Sequence, residues 1–143
     1  MSESALQQRL ASDASFPAQT SPAAQALREH DWDSSLLGRP ERWPVALRVA
    51  VNLMLDSPES MFIAWGPELA FLHNDAFAPL LGKRLQTSIA QPLKTLWFDA
   101  WDQVKPIIEK ALAGQASRFE NLPLILARRG FDEQTWWTFA IAR

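Results

Sequence analysis

MFIAWGPELAFLHNDAFAPLLG, the stretch from residue 61 to residue 82, contains two short apolar runs separated by a turn signal. The first run, Met61 to Trp65, has the length of a strand and ends at Gly66-Pro67, a dipeptide typical of turns. The second run, Leu69 to His73, begins after Glu68. The stretch therefore predicts a β-hairpin.

The residues after the hairpin predict a short, capped helix. Asn74 is a favoured N-cap residue, whose side-chain oxygen accepts a hydrogen bond from the backbone N–H of Ala76 or Phe77. Asp75 places negative charge in the first turn, where the helix dipole favours it. Gly82 is expected to end the helix because glycine readily adopts the left-handed conformation.

A longer helix from Pro44 to Leu55 is predicted before the hairpin, since proline is tolerated in a first turn. Only Arg48 and Asn52 are polar within it, and they share one narrow face. A helix that is apolar nearly all round is covered on more than one side. We expect one side to lie on its own sheet and the other to form a dimer or relay contact. The candidate interface residues are Val45, Val49 and Leu53. Burial of the whole helix within one chain is the alternative.

A second long helix is predicted from Trp97 to Gly114, with Asp99 or Asp102 as its cap. An apolar stripe recurs at helical spacing, formed by Trp101, Val104, Ile108 and Leu112. Pro106 is tolerated if the helix begins at Asp102 or Gln103, because it then lies in the first turn.

Two more strands are predicted towards the end of the chain. Phe119 to Leu126 is strand-like, and Pro123 indicates an edge position or an irregularity there. Residues 127–134 are expected to form a hairpin loop. Residues 135–143 alternate, with Trp137, Phe139 and Ile141 on the expected core face. The order of elements predicts an α+β fold with helices on one face of an antiparallel sheet.

Composition limits the classes of protein that fit. A chain of 143 residues favours one domain with a buried core. The net charge of −2, without a basic cluster, argues against a nucleic-acid partner. No apolar run approaches the roughly 18 residues of a membrane span, and the start lacks the apolar segment of a secretory signal. A soluble cytoplasmic protein is therefore predicted.

Catalytic chemistry is not indicated by the residues. The two histidines, His30 and His73, lie in different segments, and the motifs of zinc hydrolases, P-loops and dinucleotide-binding folds do not occur. Without cysteine, the chain has neither a disulfide nor a thiol nucleophile. We expect no catalytic residues and no metal site. The seven Trp and eight Phe residues either fill the core or line a cavity that an apolar or planar ligand enters.

The hairpin that runs into an Asn-capped helix resembles the start of a PAS domain. The runs MFIAWG and FLHNDAF are similar to those of PAS domains at the N-terminus of bacterial sensor histidine kinases and hybrid kinases. Three further stretches, DWDSSLLGRPERWPVALR, FENLPLIL and TWWTFA, fit the same subgroup in the same order. The resemblance covers about residues 30 to 143.

This resemblance implies a five-stranded antiparallel sheet in the spatial order second, first, fifth, fourth, third. The chain stops after the fourth strand, so the central fifth strand is expected to be absent from it. The start of the chain is rich in Ser, Ala and Gln and predicts a mobile or loosely helical tail over residues 1–29. The resemblance implies an N-terminal loop and flanking helix over 30–60 and a PAS core over 61–143. The family's flavin photosensors need a cysteine, which is missing, and its usual haem ligand is a histidine on the long helix, where none occurs. The cofactor is therefore left unknown.

By resemblance, the function is that of a sensory module that regulates an attached or partner output domain, in particular a histidine kinase of a two-component system. Ligand binding, homodimerisation or both would carry the signal, and the kinase chemistry would lie outside this chain. The candidate pocket residues are Trp97, Trp101, Phe119, Leu124, Trp137 and Phe139, whose alternative role is ordinary core packing. Two other functions remain open: a free-standing small-molecule-binding protein or small enzyme, and an interaction domain without ligand.

Overall fold

A computed structural model of the chain describes residues 16–126 and 132–141. Over this part the fold mixes helices with two antiparallel sheets of two strands each, which agrees with the α+β class. The single antiparallel sheet that the sequence predicts is not formed by the described residues, which pair as two separate hairpins. The elements are α1 (Pro22–Glu29), a 3₁₀ turn (Pro40–Arg42), α2 (Val45–Asp56), β1 (Phe62–Trp65), β2 (Ala70–His73), α3 (Ala78–Leu81), a second 3₁₀ segment (Gly82–Thr87), α4 (Leu93–Leu96), α5 (Trp101–Leu112), β3 (Ser117–Leu126) and β4 (Glu133–Ile141).

The described chain divides into two compact units. The first contains residues 16–81 and 85–93, and the second contains residues 82–84 together with the described residues from 94 onward. The first unit therefore joins the β1–β2 hairpin to the segments that precede it, whereas the sequence suggests a boundary after residue 60. The apolar core of the first unit gives the reason, since it includes residues from both sides of that position, such as Leu47, Met54 and Leu72.

The predicted hairpin is confirmed. β1 and β2 pair antiparallel, from Phe62 opposite His73 to Trp65 opposite Ala70. Gly66, with φ of 84°, occupies the tight turn between them, in a conformation that side chains with a Cβ rarely adopt. The other edge of β2 is also covered: the backbone N–H of Phe71 donates to the Gln91 carbonyl at 2.9 Å, and the N–H of Ala90 donates back to Phe71 at 2.7 Å. The hairpin is therefore held at both edges of β2.

The segment predicted as a mobile or loosely helical tail contains an ordered helix in its described part. α1 starts after Ser21, whose Oγ accepts a hydrogen bond from the Ala24 N–H at 3.3 Å, and Pro22 stands in the first turn. The Asp75 carboxylate, which follows the hairpin, accepts from the Ala23 N–H at 2.8 Å. Ala24 and Leu27 are buried in the core of the first unit. Residues 16–29 are thus part of the fold, while residues 1–15 lie outside the described range.

In the second unit, α5 begins without the predicted cap. Ala100 is its N-cap residue and makes no side-chain capping bond, so neither Asp99 nor Asp102 has the predicted role. Asp102 lies in the first turn, and Asp99 instead pairs with Arg84 at 2.5 Å. Because the helix starts at Trp101, Pro106 falls in the second turn rather than the first. Its missing N–H removes one bond of the helical ladder there.

β3 and β4 form an antiparallel hairpin with an irregularity in β3. The register shifts between Phe119 and Leu122, where Asn121 has φ of 53°. Pro123 lies just after this bulge, opposite Trp136, as the predicted irregularity requires. The loop predicted over residues 127–134 is shorter at its end, because Glu133 and Gln134 belong to β4. Residues 127–131 lie outside the described range.

Candidate functional site

Asn74 connects three segments of the first unit through one buried side chain, which is 1% exposed. Its Oδ1 accepts from the backbone N–H of Phe77 and from that of Met61, each at 3.1 Å. The bond from Phe77 is the one predicted, but it closes a turn over residues 75–77, and α3 begins only at Ala78. Its Nδ2 lies 2.9 Å from the Met54 carbonyl and 2.7 Å from the Glu59 carbonyl. The end of α2, the start of β1 and the turn after β2 are therefore fixed to one another.

Aromatic rings fill the space around the hairpin. Phe62, Phe71 and Phe77 lie with ring centroids 5.5 to 5.7 Å apart, in stacked and edge-to-face arrangements. The His73 ring joins this cluster, 5.8 Å from Phe71, and is buried. Its Nδ1 lies 2.9 Å from the Asn74 carbonyl, which only accepts, so Nδ1 donates. Burial lowers the pKa of His73 more than the bond to Asn74 and the charge of Asp75 raise it. These contacts make His73 a neutral core residue at pH 7.

α2 has two apolar faces, of which the core covers one. Leu47, Val51, Met54 and Leu55 are buried in the first unit. The three predicted interface residues stand exposed, Val45 by 76%, Val49 by 51% and Leu53 by 66%. They are spaced four residues apart, so their side chains form one stripe along the helix. The alternative of complete burial within one chain does not hold for the helix in this structure.

The segment that precedes α1 contacts the polar side of α2. The Arg48 guanidinium lies 5.0 Å from the Phe16 ring centroid, and the Gln19 amide nitrogen lies 3.2 Å from the Asp56 carboxylate. Arg28 holds the segment in place by donating to the carbonyls of Pro17 and Gln19. The few polar groups of α2 are thus engaged within the chain, and its exposed apolar stripe is left open.

The six predicted pocket residues belong to the second unit, where the described side chains among them are buried or half-buried. Trp97 and Leu124 are buried, and the Trp97 and Trp137 rings meet edge to face at 6.2 Å. Trp101 and Phe119 are half-buried. The side chain of Phe139 lies outside the described set. Neither of the two surface cavities described below is lined by any of these residues.

A charged and aromatic cluster lies beside Trp97. The Arg84 guanidinium lies 5.1 Å from the Trp97 ring and 5.6 Å from the Phe98 ring, and it pairs with Asp99. Arg84 and Asp99 are both mostly buried in this unit. This cation between rings provides a structural reason for the position of Asp99, which the sequence assigned to a helix cap.

The sequence did not predict an open groove beside the β1–β2 turn in the first unit. The groove has a volume of about 380 Å³. Its lining comes from the loop before α2, the start of α2 and the hairpin turn, with Leu36, Trp43, Leu47, Trp65, Arg42 and Glu68 among the residues. A second cavity of about 460 Å³ lies against Trp32, Gly38 and Arg39 of the same loop. The sequence signal that could have indicated these cavities is the presence of Trp32 and Trp43 in the loop before α2 and of Trp65 at the end of β1.

The part of the chain that the structure describes contains neither a metal-binding group nor a membrane-spanning helix. Over residues 16–126 and 132–141, no three His, Asp or Glu side chains come together as a metal-binding group. The described helices are all too short or too polar to cross a bilayer.

Comparisons with known proteins add no relative. Family models, curated proteins and solved structures were all searched, and none of them matches this chain.

Proposed function

We propose that this chain is a PAS-type sensory module that pairs with a second copy through α2 and regulates an output domain, in particular a histidine kinase. The module itself is not an enzyme and works in the cytoplasm. The exposed apolar stripe of α2 carries this proposal, since it is a surface of the kind that marks a protein contact.

The arrangement of elements supports the PAS assignment. A β-hairpin leads directly into a turn capped by Asn74, as the resemblance implies. The pairings are β1 with β2 and β3 with β4. These are the two pairings of a second-first-fifth-fourth-third sheet that do not involve its fifth strand.

The contacts of α2 provide a path by which a signal passes between this helix and the β1–β2 hairpin. Val45, Val49 and Leu53 face outward from the helix, while the carbonyl of Met54, near its end, accepts a bond from Asn74. Asn74 in turn fixes the hairpin through Met61 and the following turn through Phe77. A change in the pairing of α2 therefore acts directly on the hairpin, and a change at the hairpin acts on the pairing.

Packing in the second unit favours a module that signals by its contacts rather than through a ligand held by Trp97 and Trp137. These two rings touch each other. This observation supports the interaction-domain alternative as the second candidate function, in which α2 binds a partner and no ligand enters the core.

The test is the mass of the purified chain in solution, measured by light scattering during size-exclusion chromatography. The wild-type chain is expected to elute as a dimer at high micromolar concentration. The double variant Val49→Glu/Leu53→Glu is expected to be a monomer, because two charges from each copy would be buried in the contact.

A matched control separates the α2 stripe from apolar surface in general. Leu112, on α5, is also exposed by half. Leu112→Glu is expected to remain a dimer. A monomeric wild-type chain, or a double variant that stays dimeric, would rule out pairing through α2. A folded circular-dichroism spectrum of the double variant checks that the chain is intact.

A further inference from the structure

The groove beside the hairpin turn is built from segments of the first unit that are distant in sequence. Trp43 and Leu47 come from the start of α2 and the loop before it, and Trp65 comes from the end of β1. These side chains give the groove an aromatic and aliphatic lining. The volume of about 380 Å³ lies near the lower end of small-molecule sites, roughly 300–1,000 Å³.

Hydrogen bonds and ring contacts fix the loop wall of the groove. Trp43 is 6% exposed, and its Nε1 donates to the Gly38 carbonyl at 2.9 Å. The Trp32 ring meets Trp43 edge to face at 4.9 Å, and the Trp32 Nε1 donates to the Leu27 carbonyl at 2.8 Å. A wall that is already ordered lowers the entropy cost of binding a ligand.

The groove also contains one cation and one carboxylate from different walls. Arg42 comes from the 3₁₀ turn before α2, and Glu68 from the β1–β2 turn. Both side chains are exposed, and neither makes a hydrogen bond or ion pair with another residue in the described part of the chain. Asp33, which feels the charge of Arg42, is already engaged by Arg39 at 2.6 and 3.0 Å. Arg42 is therefore available to a ligand carboxylate, and Glu68 to a ligand ammonium group.

We propose that this groove binds a small apolar zwitterion, a free amino acid or dipeptide with apolar side chains. Its carboxylate pairs with Arg42, its ammonium group with Glu68, and its side chain lies against Trp43 and Trp65. One positive and one negative group in the lining match a zwitterion better than a phosphorylated ligand, which needs several donors and no carboxylate. This inference rests on the groove alone and is independent of the assignment as a PAS module.

The test uses three probes of similar size in isothermal titration, with tryptophan fluorescence as a second readout. L-phenylalanine carries both charges, 3-phenylpropionate lacks the ammonium group, and 2-phenylethylamine lacks the carboxylate. L-phenylalanine is expected to bind at least about tenfold more tightly than either analogue, because each analogue leaves one charge of the groove unpaired.

Charge-removing variants place the binding at the groove. Arg42→Gln and Glu68→Gln are each expected to weaken binding of L-phenylalanine by about tenfold. The matched controls are Lys94→Gln and Glu41→Gln, which remove exposed charges outside the groove lining and are expected to leave the affinity within a factor of about two. Leu36→Trp, which places a larger side chain in the lining, is expected to abolish binding.

Three results would overturn the proposal. One is the absence of heat and fluorescence change with L-phenylalanine at millimolar concentration. Another is equal affinity for L-phenylalanine and 3-phenylpropionate, and the last is unchanged affinity in both groove variants. The Val49→Glu/Leu53→Glu chain is expected to bind L-phenylalanine like the wild type, because those residues do not line the groove. Failure of the dimer proposal is thereby distinguished from failure of this one.

Discussion

Asn74 satisfies backbone groups from several segments with a single amide. A short polar residue before a helix predicts the bond to Phe77, which is local. The bonds to Met54, Glu59 and Met61 depend on how α2 and β1 are placed, and no local pattern contains that information. An amide suits this position because it both donates and accepts, whereas a carboxylate only accepts.

We predict that Asn74→Ala lowers the free energy of unfolding by about 3 kcal/mol or more, because it leaves buried donors and acceptors without partners. Urea denaturation followed by tryptophan fluorescence measures the loss. Asn52→Ala is the control, since Asn52 is exposed and its side chain makes only a long contact of 3.4 Å, to Gln19, among the described residues. A loss no larger for Asn74→Ala than for Asn52→Ala would contradict the role assigned to this side chain.

His73 makes the stability of the fold depend on pH. Burial lowers its pKa in the folded chain below the ordinary value, which is about 6.5. The unfolded chain therefore binds the proton more readily than the folded one. The contribution of neutral His73 is complete above the ordinary pKa and is lost as the pH falls through and below it, with a slope of at most about 1.4 kcal/mol per pH unit.

We predict that His73→Phe loses less unfolding free energy than the wild type between pH 7.5 and 5.5. Phenylalanine suits the ring cluster of Phe71 and Phe77 and does not titrate. Urea denaturation at the two pH values gives the difference, in which the carboxylates common to both chains cancel. His30→Gln is the comparison: burial also lowers the pKa of His30, but this ring is only half-buried, so a smaller change is expected. Identical pH dependence of the wild type and His73→Phe would refute the argument.

Among the elements, α2 shows that an apolar pattern predicts a helix but does not predict which of its sides is buried. The run from Val45 to Leu55 predicts the helix and its apolar excess on both sides. Which side is buried depends on β1, β2 and α1, which are distant in sequence. The face formed by Leu47, Val51 and Met54 is buried because those elements pack against it. The opposite stripe is open for the same reason, and the pattern alone allowed complete burial.

α1 and α5 both differ from their predictions, α1 because a helix forms where a tail is predicted and α5 because the predicted cap does not form. Ser21 followed by Pro22 is a helix-start signal, but the Ser, Ala and Gln content of the segment favoured a tail. α1 is nevertheless ordered, because Ala23, Ala24 and Leu27 are buried against the core of the first unit. In α5 the predicted cap does not form: Asp99 is a good capping residue, yet its carboxylate pairs with Arg84 instead.

At the scale of the whole molecule, the four strands and the two longest helices follow from local sequence, whereas the division into two units does not. The units interleave in sequence, since residues 82–84 group with the second and residues 85–93 with the first.

The groove beside the hairpin turn is not predicted by the sequence for a related reason. Trp43, Trp65 and Glu68 come from segments about twenty residues apart and share a surface only after folding. Five of the six predicted pocket residues are aromatic, and aromatics that fill a core have the same sequence signal as those that line a cavity.

Pairing through α2 also predicts that the thermal stability of the chain depends on its own concentration. A second copy that binds only the folded chain stabilises it by mass action, so a 100-fold increase in concentration is expected to raise the melting temperature by roughly 3–5 °C. Differential scanning fluorimetry from low to high micromolar concentration measures this. Val49→Glu/Leu53→Glu is expected to melt at one temperature throughout, because the outward stripe contributes little to the core of its own chain. Leu112→Glu is expected to keep the wild-type dependence. A wild-type melting temperature that stays constant over this range would show that the exposed stripe of α2 does not join two copies.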